Sequence, residues 1–281
     1  MKKQFLTAAS LLTVALIAGC GSGSGTSTST TNSTPVSTTA IAGKVADGYL
    51  VGATVFLDKN GNYQMDAGEP FAITDQNGNY SMNIDSADLG KYPIVAMAIK
   101  GVTIDKDTGA AVTNSFVLSM PATAMSGTVS SNFISPMSSQ VREMMETGKY
   151  TTMQQAMADL SAKLNMPASS NMLIDYMAAN NTTMHTAAQN VASLMGSQMA
   201  QVMSGTNGAN TTVDVNRYRG MMGTIFSNMS SIKGSNSQSG MTTLINNMMT
   251  NLPNIPAGQP FHNMSAAFRG GMMGGTGGMM K

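Results

Sequence analysis

The sequence predicts an α+β chain in two separate domains, a β-sandwich followed by a Met-rich helical bundle. Two observations carry this. Between residues 41 and 120, short β-branched and apolar runs alternate with Gly, Asp and Asn turns. From residue 121 onward the apolar period becomes helical, and 24 of the 29 Met fall there. Hydrophobic residues make up 42% of the 281, enough for a core, although only 10% are charged, against about 25% in ordinary soluble domains.

The N-terminus sets an address. Met1-Lys2-Lys3 is a short positive region, and Leu6–Ala18 is an apolar stretch of the length of a secretion signal, too short to span a bilayer. It ends Leu16-Ile17-Ala18-Gly19-Cys20, which resembles the bacterial lipobox. The resemblance implies a signal peptide over residues 1–19 and lipidation of Cys20, the single Cys of the chain. Several acyl chains on one residue give the multi-chain anchoring that a single chain does not. Gly21 in place of Asp favours the outer membrane by the sorting rule of enteric bacteria. The expected location is therefore the cell envelope, with the membrane as partner through the lipid anchor.

Residues 20–40 hold Cys20 and a Ser/Thr/Gly tether. The tether has no charge, a coil span of roughly 24 Å and a taut reach of roughly 65 Å. Residues 41–120 follow, with strands expected at Ile41–Val45, Tyr49–Leu57, Phe71–Thr74, Tyr80–Ile84, Pro93–Ile99, Gly101–Ile104 and Ala111–Leu118. Ala53, Val55 and Leu57 should share one face, as should Tyr80, Met82 and Ile84. Nine of the 14 acids lie in this region against five Lys.

Residues 121–252 form the helical domain. Ser135 before Pro136 reads as an N-cap with Pro at the first helical position, and Gly148 stops that helix. Thr152 with Gln155 is a capping box opening a second helix. A short helix is expected around Met172–Ala178. A longer one carries Met184, Ala188, Val191, Met195, Met199 and Met203, and two more run Asp214–Met229 and Met241–Leu252. Residues 253–281 read as a disordered Gly/Met tail.

Composition excludes some chemistry. One Cys permits no disulfide framework and no Cys-based zinc site, and two His, His185 and His262, permit no three-His centre within one chain. A net charge of +1 gives no field for nucleic acid. No Gly-x-Ser-x-Gly elbow is followed by a suitable His. Glu143 and Glu146 fall on one helix face and read as a solvated surface. No catalytic residue is assigned, and the chain is expected not to be an enzyme.

The strongest chemical motif is the loop Asp58–Glu69. Side-chain oxygens fall at loop positions 1, 3, 5, 9 and 12 (Asp58, Asn60, Asn62, Asp66 and Glu69), with the Gln64 carbonyl at position 7. That is the ligand spacing of an EF-hand loop, in which a tight turn brings six to eight oxygens to a hard cation. Tyr63 occupies position 6, where such loops carry Gly. Calcium ligation and a plain Asp/Asn/Gly-rich turn are the two readings.

Three stretches together carry a resemblance. Gly43-Lys-Val-Ala-Asp47-Gly48-Tyr-Leu-Val-Gly52-Ala53-Thr-Val55, the Asp58–Glu69 loop, and Thr74-Asp75-Gln-Asn-Gly78-Asn-Tyr80 are similar to B-type immunoglobulin-like modules of Gram-positive surface adhesins. They are similar also to carboxypeptidase-regulatory-like domains. The resemblance covers about residues 41–120. It implies an Ig-like or prealbumin-like sandwich, calcium on Asp58, Asn60, Asn62, Asp66 and Glu69, and a spacer or binding role. The segment Ile134-Ser-Pro136-Met-Ser-Ser resembles the helical region that follows such modules in some bacterial lipoproteins.

The methionines leave alternatives open. At helical spacing Met is a flexible core filler. Thioethers also bind Cu(I), and Met272, Met273, Met279 and Met280 stand as pairs in a Gly-rich tail, where core packing does not explain them. A Met-rich groove for a partner protein is the third possibility. The leading expectation is a non-enzymatic cell-envelope lipoprotein with a calcium-stabilised β-module and a binding or structural role. The alternative is a Cu(I)-binding lipoprotein.

Overall fold

Alternating burial shows first in the strands. The chain runs through β1 (Thr38–Val45), β2 (Leu50–Val51), β3 (Thr54–Leu57), β4 (Phe71–Ile73) and β5 (Asn79–Asp85). It continues through β6 (Ile94–Ala98), β7 (Ile104–Asp105), β8 (Ala110–Ala111), β9 (Phe116–Met120) and β10 (Asn132–Ile134). The helices are α1 (Pro136–Glu146), α2 (Met153–Lys163), α3 (Thr182–Val202) and α4 (Val215–Ser227). This computed structural model describes residues 37–125, 127, 132–204, 212–232 and scattered positions from 242 to 252. The signal peptide, most of the tether, part of the expected helix Met241–Leu252, and the tail lie outside the described residues.

The general class is α+β, with mixed sheets and several helices. In β5, Tyr80, Met82 and Ile84 are buried while Ser81 and Asn83 are exposed, as the period of two requires. β5 pairs antiparallel with β1 from Thr38↔Asp85 to Lys44↔Asn79. The run expected at Tyr49–Leu57 is broken into β2 and β3 by Gly52, whose φ of 75° is open to Gly at no steric cost. β3 joins a four-stranded antiparallel sheet in the order β4-β3-β6-β9.

Every residue of β6 and β9 is buried. Successive side chains point to opposite faces, so both faces of this sheet are covered there. Ala53, Val55 and Leu57 are buried as expected, but so is Phe56 between them. The elements in contact with the sheet are the strands β10 and β5 and the helices α1 and α3.

The structure does not part at the 120/121 boundary. β10, from the region expected to be helical, pairs parallel with β1 in the register Gly43↔Asn132 to Val45↔Ile134. A Cβ on Gly43 would stand 1.8 Å from the Asn132 carbonyl oxygen, so Gly alone permits this approach. One hydrophobic core runs from Ile41 through Ile232, and the described residues belong to one compact unit.

α1 begins as its sequence dictates. Ser135 caps it, the Ser135 and Ser138 side chains form a reciprocal box, and Pro136 opens the first turn. The Ser138 hydroxyl donates to the Ser119 carbonyl at 2.6 Å, and the Ser119 N–H donates to the Ser139 hydroxyl at 2.7 Å, tying the helix start to β9. Residues Pro136 to Met144 are all buried, so α1 lies inside the body and not on its surface. The Thr152–Gln155 box opens α2, and Asp214 caps α4. The short helix expected around Met172–Ala178 is absent. Those residues make turns, with Met172 and Tyr176 buried and the Tyr176 hydroxyl donating to the Ala46 carbonyl at 3.1 Å.

The helical methionines fill the core. Met137, Met144, Met184, Met195, Met221 and Met222 are at most 1% exposed, and Met199 is 2% exposed. The Met195, Met199, Met203 row therefore faces packed side chains. At Met203 the helix has already ended in extended backbone.

Candidate cation loop and the buried ionic network beneath it

The loop Asp58–Glu69 is closed by its own side chains. Asp58 Oδ1 accepts the N–H groups of Gly61 and Asn62 at 2.9 and 3.1 Å, and its Oδ2 accepts that of Tyr63 at 3.2 Å. Asn60 Oδ1 accepts from Asn62 N–H, and Asn62 Oδ1 from Gln64 N–H. The side-chain amides of Asn60 and Asn62 both donate to Asp66 Oδ2 at 2.7 Å, so these three side chains meet. Glu69 closes the loop by accepting from Lys59 N–H at 2.7 Å and Asp66 N–H at 3.0 Å.

Asp58 and Glu69 thus sit at the base of the loop, bonded to backbone. Asn60, Asn62 and Asp66 converge above them. Gln64 contributes its N–H to the turn. Among the described residues, no three acidic, His or Cys side chains are gathered as a ready metal cluster. The carboxylates nevertheless sense each other. Burial pushes Glu69 above the ordinary range, the two N–H bonds pull it back, and the charges of Asp58 and Asp66 add repulsion. Three carboxylates and two amide oxygens on one closed turn are a donor set that fits a hard divalent cation. When bound, such an ion would neutralise that repulsion.

Tyr63 takes the backbone conformation that Gly takes in related loops. Its φ is 61°, in the left-handed region. Such a conformation costs a non-Gly residue about 1–3 kcal/mol. Burying some 150 Å² of ring at roughly 25 cal/mol/Å² returns about 4 kcal/mol, so burial wins. The side chain is fully buried, its ring 4.6 Å from that of Tyr218 on α4 and 4.1 Å from the Arg142 guanidinium on α1. Its hydroxyl donates to Glu143 Oε1.

Beneath the loop lies an ionic network that sequence reasoning missed. Arg142, 1% exposed, reaches Asp58 Oδ2 at 3.3 Å and Glu146 Oε1 at 2.9 Å. Arg219 of α4 pairs with Glu146 and lies 3.7 Å from Glu143. Burial opposes the charge of Arg142, but Tyr63, Glu146, Glu143 and Asp58 together hold its pKa above the ordinary value. Three carboxylates face two guanidinium groups, and Glu143 is the one that carries the excess. Burial first, then the charge of Glu146, pushes its pKa to about 7. Glu143 is therefore not part of a solvated face. The Glu143–Glu146 spacing identified the shared helix side but not what covers it.

A second cluster joins β-strand loops to α3. The Asp107 carboxylate meets His185 Nε2 at 2.6 Å and accepts from the Gln189 amide at 2.9 Å. The Gly48 backbone abuts Asp105 and Asp107. Burial, and then the charge of Asp105, pushes Asp47 to about 7, and its Oδ1 has no hydrogen-bond partner among the described residues. His185 stacks on Tyr176 with ring centroids 5.8 Å apart.

Cys20 and Met272, Met273, Met279 and Met280 lie outside the described residues. Among the described residues, no helix is long and apolar enough to cross a membrane. No family model, curated protein or solved structure matches the chain.

Proposed function

We propose that this chain is a non-enzymatic cell-envelope lipoprotein, held to the membrane through Cys20, with a divalent-cation loop at Asp58–Glu69 that stiffens a binding or structural module. The observation that carries the cation reading is the loop itself. Position 6 adopts the left-handed turn, Asn60, Asn62 and Asp66 converge, and Asp58 and Glu69 close the base. In this reading residues 41–120 are an adhesin-like or carboxypeptidase-regulatory-like strand module whose sheet is completed by β10. The helices cover it and stiffen it further.

Calorimetry on the full chain tests the loop. Calcium should bind with a Kd on the order of 10⁻⁴–10⁻³ M, the range of extracellular modules. Asp66→Ala should abolish the heat, because it removes the carboxylate on which Asn60 and Asn62 converge. Absence of heat in the parent chain would sink the cation reading.

The anchor is tested by fractionation. Cys20→Ala should move the protein from the membrane pellet to the soluble fraction, since one residue carries all the acyl chains in this reading. Unchanged retention in the pellet would remove the lipoprotein assignment.

A further inference from the structure

We infer that the state of the cation loop is mechanically coupled to helices α1 and α4, with Tyr63 as the lever and Asp58 as a shared carboxylate. The inference rests on the cation reading above and adds the regulation of that same site. Three observations point to it. Asp58 divides its oxygens: Oδ1 faces the turn, accepting from Gly61 and Asn62, while Oδ2 accepts from Arg142 Nη2 at 3.3 Å. The carboxylate therefore serves the loop with one oxygen and α1 with the other. Tyr63 lies between Asn62 and Gln64, so its backbone moves with the ligand-bearing turn, while its side chain is locked between α1 and α4 by Glu143, Arg142 and Tyr218. Finally, Tyr63 holds a left-handed backbone that only this packing sustains.

The physical consequence is a two-way linkage. Side chains behind a metal ligand fix its orientation and set affinity by preorganisation. Contacts on α1 and α4 hold the empty loop near its binding shape, and a bound cation would in turn restrain those contacts. Coupling of this kind is reciprocal, so a change on the helix side must appear as a change in cation affinity.

The test is the calcium Kd of the full chain against Tyr63→Phe, which deletes only the hydroxyl on Glu143 and alters no charge at neutral pH. The Kd is expected to rise about five-fold or more, the lower end of ordinary coupling. Hydrogen exchange supplies a readout free of any substitution: calcium should protect amides of α1 and α4 beyond any gain in α2, which serves as reference for global stabilisation. Arg142→Lys, which keeps the charge and changes the reach, is the second variant, with the same expected weakening. An unchanged Kd in both variants, or protection confined to residues 58–69, would overturn the coupling while leaving the cation reading intact. No calcium binding to the parent chain would overturn both.

Discussion

Arg142→Ala should lower the unfolding free energy by about 3–5 kcal/mol, the usual loss when one partner of a buried ion pair is removed. Arg142 is 1% exposed and reaches Asp58, which is fully buried, and Glu146. Its removal leaves the Asp58 carboxylate without its only cation in the pairing and strips the guanidinium from the Tyr63 ring. It also leaves three carboxylates facing Arg219 alone. Urea unfolding at pH 7 checks this. At roughly 2–4 °C per kcal/mol for a body of this size, melting should fall by about 10 °C. A loss under about 1 kcal/mol would mean that solvent reaches the network and that α1 is not its closed lid. Replacing both Arg142 and Asp58 with apolar residues of similar volume should recover much of the loss, because the penalty is an uncompensated charge.

Stability should rise as pH falls from 8 to 5. Glu143 and Asp47 are both held at about 7 in the folded protein, the first by burial and Glu146, the second by burial and Asp105. Their unfolded values are near 4.5 and 3.8. Both are raised, so the folded state binds more protons than the unfolded state across the window from about 4 to 7. The gain therefore appears as pH drops through 7, is largely present by pH 5, and is lost on returning to pH 8. One pKa unit corresponds to about 1.4 kcal/mol. Two groups raised by more than two units each should give at least about 2 kcal/mol between pH 8 and pH 5. Urea midpoints measured across this range in chelator would show it. A midpoint that climbs with pH would refute the assignment of both groups.

Local chemistry was legible in the sequence where local rules decide the outcome. Ser135-Pro136, the Thr152–Gln155 box and the alternation Tyr80, Met82, Ile84 need only neighbours to act, and each stands where it was expected. Met at helical spacing announced a core, and the core holds it. Three things were hidden because they depend on distant chain. The pairing of β1 with β10 joins residues about ninety apart, and nothing in Asn132–Ile134 distinguishes a strand of the first sheet from the start of a helix. The Met172–Ala178 run has apolar spacing, but Tyr176 is drawn to the Ala46 and Asp47 carbonyls and the backbone turns instead. Tyr63 looked like a defect in a Gly position. Its reason is the pocket built by Arg142, Glu143 and Tyr218, eighty and more residues later. The candidate loop was legible through its oxygen spacing, and the network that supports it was not.

The parallel pairing of β1 with β10 bears on how the polypeptide acquires its shape. As the chain emerges N-terminus first, β1 is available early, its hairpin-like neighbour β5 soon after, and β10 only after some ninety further residues. Until then one border of β1 exposes bare amides and carbonyls, a template for another molecule to stitch onto. A fragment ending near residue 120 would keep that border open permanently and should self-associate. Long-separation closure of this sort also slows the search for the native arrangement.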